Sequence, residues 1–286
     1  MHTGERSMET VRGRVAWLEA GAGWPVILLH AFPLSADMWR PQLERVPDGW
    51  RFIAPHLRGF GPARPPKGGS HAINHRDSWL PPAGGRDMTV DDYAADVLSL
   101  MDELELDDAV IGGLSMGGYV SFAMFRLAPE RFTRMILADT KSPADTPQAR
   151  EGRVRMRDLL AKEGPRGVAD SMLPKLLAEA TRRDGTDAVR EVRAMIESAA
   201  PEAIAAAIGA LMGRPDSTSG LSAISCATLV VAGELDELTP VADADAMHHA
   251  IPRSTLCVIP GAGHLSNLEQ PAIFSRALAD FLLAPL

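Results

Sequence analysis

Short apolar runs alternate along this chain with longer segments whose apolar positions recur at helical spacing. Arg14-Val15-Ala16-Trp17-Leu18, Pro25-Val26-Ile27-Leu28-Leu29 and Arg51-Phe52-Ile53-Ala54 read as the first strands. After them Thr89 reads as an N-cap, and Asp91 and Asp92 suit the positive end of a helix reaching about Leu106. Val97, Leu98, Met101 and Leu104 give that helix its apolar face. Ala109-Val110-Ile111-Gly112 is a further strand, followed by a turn and an apolar helix through Tyr119-Val120-Ser121-Phe122-Ala123-Met124-Phe125. Arg134–Ala138, Ala227–Ala232 and Thr255–Ile259 complete the strands. Strands without polar alternation, separated by helices, predict an α/β class with a mostly parallel central sheet flanked by helices. In such sheets the reactive loops gather at the carboxyl ends of the strands.

The alternation fails between Ser142 and Ser219, where only helices are predicted: Arg153–Lys162, Val168–Ala180, Asp187–Ala199 and Pro201–Met212. This pattern predicts an inserted helical cap at 142–219 above a core made of 1–141 and 220–286. Most of its apolar residues are read as packing; adaptable methionines among them are candidates to line a pocket. A second irregular stretch, 62–86, is punctuated by Pro65-Pro66, Gly68-Gly69, Pro81-Pro82 and Gly84-Gly85. It follows a strand end, so it is expected as a loop insertion near the active-site entrance, with Trp79 as its substrate contact. His71 and His75 are spaced by four, but no third ligand accompanies them, so no metal is expected.

Composition narrows the partners more than the fold. The chain has 286 residues, 46% hydrophobic and 23% charged, as in an ordinary globular protein. A net charge of −8 argues against a nucleic-acid partner. No run of about 18 apolar residues predicts a membrane span, and Met1 to Arg14 lacks a signal-peptide core, so a cytoplasmic location is expected. Cys226 and Cys257 lie in or beside strands and read as free thiols. There is no zinc spacing, P-loop or dinucleotide fingerprint, and no cofactor is expected. A homo-oligomer is left open.

The chemistry is concentrated at Gly113-Leu114-Ser115-Met116-Gly117. A serine on a sharp strand-to-helix turn projects its hydroxyl from the sheet, and the flanking glycines let strand and helix approach. Asp236 follows the strand ending at Ala232, and His264 follows the strand ending at Ile259, so both stand in loops beyond strand ends. Ser115, Asp236 and His264 are thus candidates for nucleophile, orienting acid and general base. Asp139 also ends a strand and is the rival acid. His30 is read as a support for its loop, and Arg58 as a structural loop residue. Glu234 and Asp243 are read as surface charges, and His248-His249 as part of a helix after Pro240.

Leu28-Leu29-His30-Ala31-Phe32-Pro33-Leu34-Ser35, Leu57-Arg58-Gly59-Phe60-Gly61, the serine turn, Gly233-Glu234-Leu235-Asp236 and Gly261-Ala262-Gly263-His264 together resemble the α/β-hydrolase family over most of the chain. The resemblance is greatest to small carboxylesterases, cofactor-free haloperoxidase/perhydrolases and 3-oxoadipate enol-lactonases. It implies the α/β-hydrolase fold and a serine hydrolase that cleaves carboxylic esters through an acyl-enzyme. It also implies an oxyanion hole from the backbone N–H groups of Phe32 and Met116, both also expected at the substrate. The implied partner is a small-molecule ester or lactone. Lactonase chemistry would call for cations near Ser115, for which Arg153 and Arg155 are candidates. Perhydrolysis and a non-catalytic ligand-binding role are the other readings. The chain departs from the family at Ala31, where glycine is usual, and at His56, where aspartate is usual.

Overall fold

The computed structural model describes residues 4–61 and 87–285, so the 62–86 segment with Trp79, His71 and His75 lies outside the described residues. The described strands form one eight-stranded sheet, in the order β1-β2-β4-β3-β5-β6-β7-β8. They are β1 (Gly4–Thr10), β2 (Gly13–Gly21), β3 (Trp24–Leu29), β4 (Trp50–Pro55), β5 (Ala109–Leu114), β6 (Phe132–Ala138), β7 (Ala227–Gly233) and β8 (Ser254–Ile259). β2 is antiparallel to β1 and β4; every other pair is parallel.

The helices follow in sequence as α1 (Arg40–Leu43), α2 (Val90–Glu103), α3 (Met116–Leu127), α4 (Pro147–Leu176), α5 (Glu179–Arg183), α6 (Asp187–Ser198), α7 (Pro201–Met212), α8 (Val241–Ala250), α9 (Ser266–Glu269) and α10 (Pro271–Leu283). From the central β3 the chain steps one way to β4 and later the other way from β5 to β6. Right-handed crossovers therefore place α1 and α3 on opposite faces of the sheet. α2 packs on α3, and α1 packs on α10. Covered on both sides, Val26 to Leu29 and all of β5 are buried, which is why those strands carry no polar alternation.

Local signals set several boundaries. The Thr89 hydroxyl accepts from the Asp92 N–H at 3.2 Å while the Asp92 carboxylate accepts from the Thr89 N–H at 3.0 Å, a reciprocal cap that starts α2. α4 is broken at Gly164, whose φ of +67° suits glycine, with Pro165 opening the second half. β1 was not foreseeable from apolar pattern: Gly-Glu-Arg-Ser-Met-Glu-Thr is an edge strand that among the described residues pairs only with β2 and stays partly exposed.

Between β6 and β7 the chain runs through α4, α5, α6 and α7, with α4 packed on both α6 and α7. Among the described residues no single helix is long and apolar enough to cross a membrane; α6 and α7 reach that length only together, across a 97° bend. Cys226 and Cys257 are both free thiols.

Candidate active site

Ser115 sits between β5 and α3 with φ 54° and ψ −113°, a conformation that side chains rarely adopt. Such a residue costs on the order of 1–3 kcal/mol and persists only when its surroundings enforce it. Here its N–H donates to the Ala138 carbonyl at 2.9 Å, and its own carbonyl accepts from the Thr140 hydroxyl at 2.9 Å. The glycines on either side are required by contact. A Cβ on Gly113 would lie 2.1 Å from the Gly117 carbonyl carbon, and one on Gly117 would lie 2.2 Å from the Leu29 oxygen. Both obstacles are backbone, so Gly113→Ala is expected to destabilise by about 3 kcal/mol or to prevent soluble expression. A urea midpoint equal to that of the wild type would contradict this packing.

His264 bridges the other two candidates. Its Nε2 lies 2.8 Å from the Ser115 Oγ, and its Nδ1 lies 2.8 Å from the Asp236 Oδ2. With Nδ1–H donating to Asp236, Nε2 is left to accept from the serine hydroxyl. Asp236 and His264 are buried, which strengthens both interactions by excluding water. Burial alone would raise the Asp236 pKa. The hydrogen bond and charge of His264, with the donors of Thr239, override it and hold this carboxyl below its usual range. Its second oxygen accepts from the N–H groups of Leu238 at 2.8 Å and Thr239 at 3.1 Å, and the Thr239 hydroxyl donates to Oδ2 at 2.6 Å. The group is therefore an oriented anion.

Asp139 is near but differently engaged. Its Oδ1 accepts from the Gly233 N–H at 2.7 Å, and its Oδ2 accepts from the Ser266 hydroxyl and N–H. It makes no hydrogen bond to His264. Burial, then repulsion from Asp236, pushes its pKa up to about 7. In the unfolded chain an aspartate titrates near ~3.9. The folded state thus binds this proton more tightly, and stability from Asp139 is present below about pH 4 and lost as pH rises through 7. Asp139→Asn, which tolerates the +44° φ here, should flatten that loss. Urea midpoints from pH 4.5 to 8 would show it, whereas parallel wild-type and variant curves would contradict it.

The loop after β3 brings Phe32 to the same place. No hydrogen bond from the N–H of Phe32 or Met116 is found among the described residues, and both residues line the cavity at Ser115. His30 holds this loop: its Nδ1 lies 3.0 Å from the Ala31 carbonyl, and its Nε2 accepts from the Leu57 N–H at 3.0 Å. Complete burial pushes the His30 pKa down to about 3, so it is neutral. His56 is likewise pushed down to about 4 by burial, and its Nδ1 accepts from the Ala36 N–H at 3.2 Å. Ala31 does not have a positive φ, so its methyl group fits this turn without backbone strain. Arg58 pairs with Asp96 of α2.

The cavity above Ser115 measures about 300 Å³. Phe32, Met116, Tyr119 and Leu238 line it from the sheet side, and Met156, Met172, Leu176 and Leu211 line it from α4 and α7. Lys141, Asp145, Arg153 and Lys175 also line it. Arg155, the other cation considered from the sequence, is instead an exposed residue beside Glu151 and does not line the cavity.

Sequence reasoning missed several supports. Glu269 accepts from the Gly263 N–H at 2.7 Å and from the Ala178 N–H at 2.8 Å, fastening the His264 loop to the start of α5. Glu234 is exposed yet accepts from the Gly261 N–H at 2.8 Å, steadying the same loop. Asp145 and Arg214 form an ion pair with both side chains buried. Thr239 was findable, since a hydroxyl three residues after a loop aspartate commonly bonds back to it. Apart from the six-residue link between Glu269 and Gly263, the others join residues remote in sequence and have no local signal. Among the described residues no cluster of three or more His, Cys, Asp or Glu is arranged to hold a metal ion.

A family model described as the alpha/beta hydrolase fold matches residues 25–271. The chain is 27% identical to 3-oxoadipate enol-lactonase 2 of Acinetobacter baylyi, over 88% of this chain and 86% of that one. It is 28% identical to a putative non-heme chloroperoxidase of Synechocystis, over 92% and 93% of the two chains. A solved thermophilic esterase of Thermogutta terrifontis, with malate bound, is 38% identical, with TM-score 0.86 over 98% of both chains.

Proposed function

The chain belongs to the α/β-hydrolase fold family, and from that premise we propose that it is a serine hydrolase cleaving carboxylic esters through an acyl-enzyme. The observation that carries this reading is the pair of 2.8 Å contacts that place His264 between Ser115 and Asp236. Ser115 Oγ attacks the ester carbonyl carbon as its proton passes to His264 Nε2, and Asp236 stabilises the imidazolium that results. The N–H groups of Phe32 and Met116 receive the negative charge on the carbonyl oxygen; losing one such donor typically costs ~10²–10³ in turnover. The tetrahedral intermediate then collapses, and the alcohol leaves with the proton from His264. Water attacks the acyl-serine, giving its proton to the same nitrogen, and release of the acid returns that proton to Ser115.

A cavity of about 300 Å³ sits at the low end of the ~300–1,000 Å³ usual for small-molecule sites, which favours short acyl chains. The test is hydrolysis of p-nitrophenyl acetate, butyrate and octanoate. Turnover of the acetate and butyrate esters above the octanoate is expected. Absence of turnover on all three would contradict the esterase reading and bring forward the lactonase and ligand-binding readings. The same serine chemistry opens a lactone ring or, with peroxide replacing water, makes a peracid. The 27% identity to an enol-lactonase keeps the lactone as the second reading. Hydrolysis of a five-membered lactone with no turnover of open-chain esters would select it.

A further inference from the structure

Three cations share the cavity with Ser115. Lys141 follows β6, Arg153 lies on the first half of α4, and Lys175 lies on the second half. The chain carries 37 acidic against 29 basic residues, so a cavity lined without selection would lean acidic. This one has a single lining carboxylate among the described residues, Asp145, and that charge is already engaged from behind. The buried Arg214 guanidinium bonds the Asp145 Oδ1 and also donates to the Leu211 carbonyl at 3.1 Å and the Pro143 carbonyl at 2.8 Å. Its face stacks 4.2 Å from the Tyr119 ring centre, so it is locked in place. Arg153 reaches the remaining Asp145 oxygen at 3.2 Å as a second cation on one carboxylate.

The other two cations are less engaged. The Lys141 ammonium makes one long contact, 3.4 Å to the Leu238 carbonyl. Lys175 is exposed and makes no hydrogen bond or ion pair among the described residues. The apolar half of the lining, meanwhile, comes from Phe32, Met156, Met172 and Leu176. An ester with an apolar middle and an anionic far end matches both halves, because a charge-assisted bond in a partly desolvated site is stronger than one in water.

Resting on the ester-hydrolase reading, we infer that Lys141, Arg153 and Lys175 form an anion subsite, and that the preferred substrates are esters of short acids carrying a second carboxylate. The three cations select the free carboxylate while Ser115 takes the ester carbonyl. Neutral esters of the same size enter the cavity but forgo that bond.

The experiment compares monoethyl succinate and monoethyl glutarate with ethyl succinamate, a neutral near-isostere of the former, by titrating the acid released. The wild type is expected to show kcat/KM at least about tenfold higher for the charged esters, the size of one charge-assisted hydrogen bond. That preference should shrink when sodium chloride rises to about 0.5 M, as screening weakens the attraction. Lys175→Met and Arg153→Met should each lower the charged-to-neutral ratio severalfold. Lys175 is exposed and unpaired among the described residues, so its replacement does not endanger folding. Arg155→Met, altering an exposed cation outside the cavity, should leave the ratio unchanged.

Equal kcat/KM for the charged and neutral esters, with turnover that still depends on Ser115, would overturn the subsite and leave the hydrolase standing. If no ester is turned over, the subsite is read from calorimetric binding of glutarate. Binding weakened by Lys175→Met and by salt supports it, and no binding overturns it.

Discussion

Replacing Ser115 by alanine is expected to lower ester turnover by roughly 10⁶-fold, the effect typical of losing a nucleophile from such a unit. The size follows from the arrangement. Without the Oγ, His264 Nε2 has no proton to accept, and the neighbouring residues can only bind and polarise the ester. The fold should survive, because the bonds that enforce the 115 turn run from the backbone N–H to Ala138 and from Thr140 to the backbone carbonyl. The melting temperature should therefore stay within a few degrees of wild type while p-nitrophenyl butyrate hydrolysis vanishes. Residual turnover above about a tenth of wild type would place the chemistry elsewhere.

Asp236→Asn is expected to cost roughly 10⁴-fold, because an asparagine offers its N–H₂ to His264 Nδ1 and reverses the tautomer. Nε2 would then carry the proton and could not accept one from Ser115. The change is conservative for the loop: the amide oxygen can still accept from the N–H groups of Leu238 and Thr239. Asp139→Asn provides the contrast and should leave kcat within about tenfold. Both aspartates are buried and both follow strand ends, so position alone makes them rivals, and in the sequence only the residues flanking Asp236 favour it. Their partners differ in the same sense: Asp236 bonds His264, whereas Asp139 bonds Gly233 and Ser266. A large loss in the Asp139 variant with little in the Asp236 variant would reverse the assignment.

The parallel sheet was legible because its strands are buried on both faces and read as unbroken apolar runs. The serine turn was legible because glycine spacing reports a contact that only glycine permits, here Gly113 against Gly117 and Gly117 against Leu29. β1 was not, since its stability comes from pairing with β2 rather than from an apolar face. Between β6 and β7 the two halves of α4 and helices α6 and α7 were foreseen, but α5 was read as the end of the preceding helix, and which side chains reach the cavity was not foreseen. That depends on how α4 lies over the sheet, and helical periodicity reports only that a face is apolar. The cations show the same limit. Arg153 and Arg155 are two positions apart on one helix, and only Arg153 turns into the cavity. Neither Lys141 nor Lys175 was read as a cavity cation, because a lysine in a sequence is ordinarily solvated surface.

The central claim is that Ser115 is the atom donor to a covalent intermediate, and trapping tests it most directly. The protein would be incubated with an ethyl p-nitrophenyl phosphonate, digested and mapped by mass spectrometry. The arrangement of Ser115, His264 and Asp236 predicts one phosphonyl group per chain, on the peptide containing Ser115, with loss of ester turnover in step with labelling. An unlabelled Ser115, or a label on another side chain with turnover lost, would contradict it.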